Sequence, residues 1–240
     1  MDTRIYLSRE SVARSRCLSR TEEVRIKTAS TFEAVKWIAA VGLFVAFTVA
    51  AVLLPRQVLY SYLFLYTVLI VLFHKELSFK EMVKGARSGV WFWLVTGGLF
   101  AVLFLINKLN YYISFQLLAG TDTGTISIWM REEYWILALY GIIFVILEPL
   151  AENMVLRSAL LSVKNRKLLP VFVFLSLAIC GLLHAQGIVG IAEAMLLALP
   201  LTFVYLKTNN VYITLFAQIA LACATKLPDL IYSAMRIALR

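Results

Sequence analysis

Five ionisable residues interrupt apolar sequence in the second half of the chain: Glu148, Glu152, Arg157, His184 and Glu193. Asn153 and Gln218 interrupt it too. A charged group at the centre of a bilayer costs about 2.5–3.5 kcal/mol on insertion scales, so each is a candidate for function. Glu148 and Glu152 are four apart and share one helix face. Two carboxylates that close in a low dielectric do not both stay ionised, and a carboxyl that exchanges its proton readily suits a general base. The competing reading is a buried, protonated Glu, or for Glu148 a polar contact between helices.

Asn153 and Arg157 are also four apart and can hydrogen-bond. Glu152 precedes Asn153 by one residue, about 100° around the helix, and so points elsewhere. Arg157 either joins the site or snorkels to the cytosolic surface. Glu152 lies 12 residues before Lys164, and His184 lies 16 after Leu168. At about 1.5 Å per residue both stand roughly 18–24 Å above the intervening loop, so antiparallel helices bring them to a similar depth. Gln218 is either an interhelical packing contact or a hydrogen-bond donor to an oxyanion. Cys180 precedes His184 by four and shares its face, which permits a Cys–His nucleophilic pair, although a buried Cys usually packs as a small apolar residue. Glu193 gains no role from its spacing. One His in this half and no H-E-x-x-H pattern argue against a catalytic zinc site, so neither metal nor cofactor is expected.

The elements that must position these residues follow from composition. The chain has 240 residues, 61% hydrophobic and 15% charged, with mean hydropathy +0.83. A soluble domain carries roughly 45–50% apolar and about 25% charged residues, so a soluble domain, a disordered chain and a coiled coil are all excluded. The expected fold is all-α, a multi-span transmembrane bundle of about seven spans, with an eighth partial span as the alternative. The spans expected are 34–54, 57–73, 90–106, 134–163, 169–185, 187–206 and 211–225. A cytosolic segment, 1–33, precedes them. Residues 34–133 form the N-terminal spans with an interfacial helix over 74–89, 134–226 form a second core, and 227–240 form a tail. The 107–133 connection is polar, with Gly120, Asp122 and Gly124. The first 30 residues contain no apolar run, so the first span acts as an uncleaved anchor. Cys17, Cys180 and Cys223 are too scattered for a disulfide framework.

The net charge of +9 would suggest nucleic acid in a soluble protein. In a membrane protein it sets topology. With the N-terminus in the cytosol, seventeen Lys and Arg fall on the cytosolic side against six on the other. The expected partners are therefore the lipid bilayer and a membrane peptide or protein, with no nucleic acid. The charge pattern does not address oligomeric state.

Residues 148–161, EPLAENMVLRSALL, resemble the first motif of the CAAX protease and bacteriocin-processing family (type II CAAX endopeptidases), E-E-x-x-x-R. CGLLH, residues 180–184, resembles its second motif, F-x-x-x-H, and LPLTFVYLKTNNVYITLFAQIALA is similar to its last block. The resemblance covers about residues 134–226. It implies a multi-pass protein of a bacterial cell membrane that cleaves a membrane-associated peptide or takes part in bacteriocin processing or immunity. It also implies that Glu152 activates the attacking water, that His184 shares this role and that Arg157 orients the second acidic position. That second Glu is Asn153 here, the motif Phe is Cys180, and the third motif's His and Asn or Asp are Gln218 and Ala222. Loss of an oxyanion donor typically costs ~10²–10³ in rate, so the implied alternatives are an impaired endopeptidase and an inactive relative acting as a membrane regulatory, immunity or scaffold protein. A small transporter is a third class, against which stands the lack of an inverted repeat.

Overall fold

The long apolar runs become helices that carry their own backbone hydrogen bonds, as a bilayer requires. The computed structural model describes residues 34–87, 89–117, 124, 126, 133–162 and 167–239, and no strand occurs among them. Helix α1 spans Ala34–Leu53. A 3₁₀ turn at Pro55–Gln57 leads into α2, Val58–Leu72. A second such turn, His74–Glu76, precedes the short α3, Phe79–Ala86, and then comes α4, Val90–Tyr112. Next are α5, Tyr134–Ala159, and α6, Leu169–His184. The last two are α7, Ile188–Thr208, and α8, Val211–Ala238. Among the described residues six helices are long and apolar enough to cross a membrane, and α6 is a shorter apolar helix of 16 residues. The multi-span all-α bundle is therefore observed. Residues 1–33 and most of the 107–133 connection, including Gly120, Asp122 and Arg131, lie outside the described residues, as does Lys164.

The chain divides into two units, Met1–Val45 and Ala46–Arg240, and every contact described here lies within the second. Phe92, Leu99 and Leu103 of α4 pack with Leu201 of α7 and with Val211, Leu215 and Leu221 of α8. On α2 and α5 the Tyr62 ring stacks on Tyr66 and meets Phe144 edge to face, and Phe144 lies tilted against Tyr140. Leu105, Phe174, Phe203 and Ile188 are exposed among many other large apolar side chains. On a soluble protein such a surface would be a liability. Against lipid it is the favourable one.

Two ends depart from the sequence reading. The last span was expected to stop at Thr225, with a separate tail, but α8 runs unbroken through Pro228 to Ala238. A proline removes one backbone bond without ending a helix that is held elsewhere. Here Leu227, Leu230, Ile231 and Ala234 face the start of α5 across an apolar cleft. The third span also outruns its expected end, reaching Tyr112 and then widening into a π-helical turn, Ile113–Leu117.

The α7–α8 turn has local causes. Asn209 ends α7 in the left-handed conformation (φ 51°), which Asn tolerates, and the Asn210 side chain caps α8 by accepting from the Tyr212 N–H at 3.0 Å. The Tyr212 hydroxyl accepts from the Ser78 N–H (3.0 Å) and donates to the Ser78 carbonyl (2.9 Å), which ties α8 to the turn before α3. Lys80, Glu81 and Lys84 of α3 are exposed while Met82 packs on the core, as an interfacial helix requires.

Candidate active site

Three helices deliver the polar residues. Helix α5 supplies Glu148, Glu152, Asn153 and Arg157; α6 supplies Cys180 and His184; α8 supplies Thr214 and Gln218. Within α5 the segment Glu148–Glu152 is α-helical, so the two Glu share a face as their spacing predicts. From Asn153 to Ala159 the helix takes π geometry, a widening that often marks functional sites. Each residue then turns through less than the α-helical angle, which keeps Asn153 and Arg157 on the bundle side together with Glu152.

The carboxylate of Glu152 is 3% exposed, and its Oε1 lies 3.0 Å from His184 Nε2. Its Oε2 accepts from Gln218 Nε2 at 2.7 Å. The other end of the Gln218 amide, Oε1, accepts from Asn153 Nδ2 (2.8 Å) and from Arg157 Nη1 (3.2 Å). Asn153 Nδ2 also reaches the Pro149 carbonyl, and its Oδ1 accepts from the Thr214 hydroxyl at 2.7 Å. Asn153 and Arg157, which their spacing allows to hydrogen-bond, meet at Gln218. Arg157 does not snorkel: it is 1% exposed, and its Nε has no partner. Glu148 Oε1 stands 3.7 Å from His184 Nε2, while Glu148 Oε2 is buried without a hydrogen-bond partner. The Cys180 thiol points at Glu152 Oε1 from 3.9 Å.

The end of α6 is held from two sides. The Leu183 carbonyl accepts from the Tyr62 hydroxyl at 2.5 Å, and the His184 carbonyl from the Ile126 N–H at 3.0 Å. These partners satisfy carbonyls that a helix end leaves open. The Gln186 N–H donates to the Gly124 carbonyl. Gly124 is at φ +65°, and a Cβ there would run into the Gly187 backbone, so only glycine fits. Three residues before His184, a Cβ on Gly181 would sit 2.8 Å from Ile191 Cγ2, which is why α6 and α7 approach so closely.

A cavity of about 720 Å³ opens on this cluster, lined by Glu148, Glu152, Arg157, Cys180, His184 and Gln218 among others. Glu193, whose spacing implies no role, lines it as well, with its carboxylate accepting from Ser114 and its carbonyl from Asn110. Thus Glu152, His184, Asn153, Arg157 and Gln218 are brought together in one place. Ala222 lines the cavity with no polar atom in its side chain.

Residues 133–223 match the family model described as Rce1-like, type II CAAX prenyl endopeptidase. This segment is similar to the type II CAAX endopeptidases. No curated protein and no solved structure matches the chain. The matched segment coincides with the stretch that the motifs marked, and it contains every polar residue of the α5, α6 and α8 cluster. Sequence reasoning on that segment missed Thr214. Its signal was there: a hydroxyl four residues before Gln218 in the apolar run VYITLFAQ, hence on the same face.

Proposed function

We propose that the chain hydrolyses a peptide bond of a membrane-associated peptide or protein, with Glu152 and His184 acting together on a water. The observation that carries this reading is the 3.0 Å Glu152–His184 pair facing a 720 Å³ cavity. Glu152 takes a proton from the water as its oxygen attacks the carbonyl carbon. His184 passes a proton to the leaving amine when the tetrahedral intermediate collapses. Positioned acid–base groups of this kind supply typically ~10²–10⁴ in rate. Asn153 and Arg157 are positioning residues: they hold Gln218, and Gln218 holds Glu152. The N-terminus is cytosolic by the charge count. The membrane is that of a bacterial cell.

A second reading rests on Gln218 and Ala222. One N–H of Gln218 is already committed to Glu152, and Ala222 has nothing to donate, so the oxyanion side is thin. On that reading the same cavity holds a membrane peptide without cutting it, in a regulatory, immunity or scaffold role. Proteoliposomes carrying the full chain and a pool of membrane peptides separate the two, with products read by mass spectrometry. Cleavage that disappears in Glu152→Gln supports hydrolysis. Retention of a peptide with no cleavage by the wild type supports the second reading.

A further inference from the structure

We propose that Glu193 is the subsite for a cationic side chain, Lys or Arg, of the peptide that occupies the cavity. The proposal rests on the peptide-binding reading above, and not on whether the bound peptide is cut. The cavity has two polar walls. One carries the Glu152–His184 pair and its neighbours. The other, on α4 and α7, carries Asn107, Asn110, Ser114 and Glu193. Asn110 and Ser114 are four apart at the end of α4, so both turn toward α7. Asn110 Nδ2 donates to the Glu193 carbonyl at 3.1 Å, and the Ser114 hydroxyl donates to Glu193 Oε1. These two bonds fix the Glu193 backbone and one of its carboxylate oxygens.

What the second wall leaves open points to the ligand. Among the described residues Glu193 Oε2 accepts no hydrogen bond, and Glu193 forms no ion pair. Asn110 Oδ1 is buried without a hydrogen-bond partner. A contact that served packing alone would close both acceptors, since an open one is costly. A carboxylate on a membrane-spanning helix needs a positive partner or a proton. The cations that line the cavity are engaged elsewhere. Lys108 Nζ lies 5.4 Å from the centre of the Phe104 ring, and Lys226 Nζ lies 5.9 Å from that of Phe144. Arg157 is held at Gln218, and His184 at Glu152. Two open acceptors, one of them charged, suit the N–H donors of an ammonium or guanidinium group. Spacing sets the position in the peptide. Ile191 abuts Gly181, so α6 and α7 run antiparallel from the turn between them. Glu193 stands about 7–8 Å along α7 from its start at Ile188. An extended peptide advances about 3.3–3.6 Å per residue, so a Lys or Arg within about three residues of the bond held at the Glu152–His184 pair reaches Glu193.

The test uses full-length protein in a non-ionic detergent and a set of short Leu/Ala peptides that differ at one residue, Lys, acetyl-Lys, Gln or Glu. Affinity is read by fluorescence anisotropy of a dye on the peptide. The wild type should bind the Lys peptide about tenfold or more tighter than the Gln peptide. Acetyl-Lys keeps the length and loses the charge, so it should bind as Gln does, a comparison that needs no variant. In Glu193→Gln, which keeps a bond to Ser114, the Lys-to-Gln ratio should fall to about one. In Glu193→Lys the preference should pass to the Glu peptide. Glu81→Gln removes an exposed acid of α3, away from the cavity, and should keep the wild-type ratio. Thermal unfolding in the same detergent shows that each variant is folded. Equal affinity of the wild type for the Lys and acetyl-Lys peptides, or a Lys preference that survives Glu193→Gln, overturns the subsite and leaves peptide binding standing. Failure of every peptide to bind overturns both.

Discussion

At the scale of the residue, Gln218 is the joint of the site. Its amide nitrogen holds Glu152 and its amide oxygen holds both Asn153 and Arg157. Gln218→Leu leaves a carboxylate, an amide and a guanidinium short of partners in a buried place. Removing one partner of a buried charge costs about 3–5 kcal/mol, so this variant should show a clear loss of thermal stability in detergent, read by the melting of intrinsic tryptophan fluorescence. Thr214→Val keeps the volume and removes one buried hydrogen bond, so a loss of about 1–3 kcal/mol is expected in the same assay. The polar residue types and their spacing were legible in the sequence, and so was the depth match of Glu152 with His184. The use of both ends of Gln218 was not. Motif comparison put Gln218 where the family has His, so it was weighed as an oxyanion donor, and nothing in its spacing shows which neighbours take its two ends.

At the scale of the element, the π-helical stretch of α5 and the glycine contacts of α6 set the geometry. The α-helical period correctly paired Glu148 with Glu152 but turned Asn153 away from Glu152. The π stretch, which no composition rule marks, brings them back to one partner. Helix ends were legible where Pro or Asn marks them, as at Pro55 and Asn209, and not where packing carries a helix through its breaker, as at Pro228. Gly181 is the sharpest test at this scale. Gly181→Val forces a side chain against Ile191, and overpacking of this kind typically costs about 1–3 kcal/mol. Because His184 follows within the same turn, cleavage should fall by more than the folded fraction does, measured as activity against the folded population in one preparation.

At the scale of the whole molecule, the apolar excess and the bundle were legible because exposed Leu, Val and Phe are tolerated only against lipid. Orientation rests on basic residues, many of them in residues 1–33, outside the described structure. A reporter fused to the N-terminus that works only in the cytosol should therefore be active, and one that works only outside should be silent. The opposite pattern would overturn the cytosolic N-terminus.

The central claim is that Glu152 and His184 act on one water as a unit, and a double-mutant cycle in proteoliposomes tests it most directly. Single-turnover cleavage of a membrane peptide is measured for the wild type, Glu152→Gln, His184→Asn and the double variant. Residues that act as a unit are strongly non-additive. The account predicts that each single variant loses at least ~10²-fold in rate and that the double variant is hardly slower than the worse single one. Wild-type cleavage that survives either substitution unchanged, or a double variant slowed by the product of the two single effects, would contradict it.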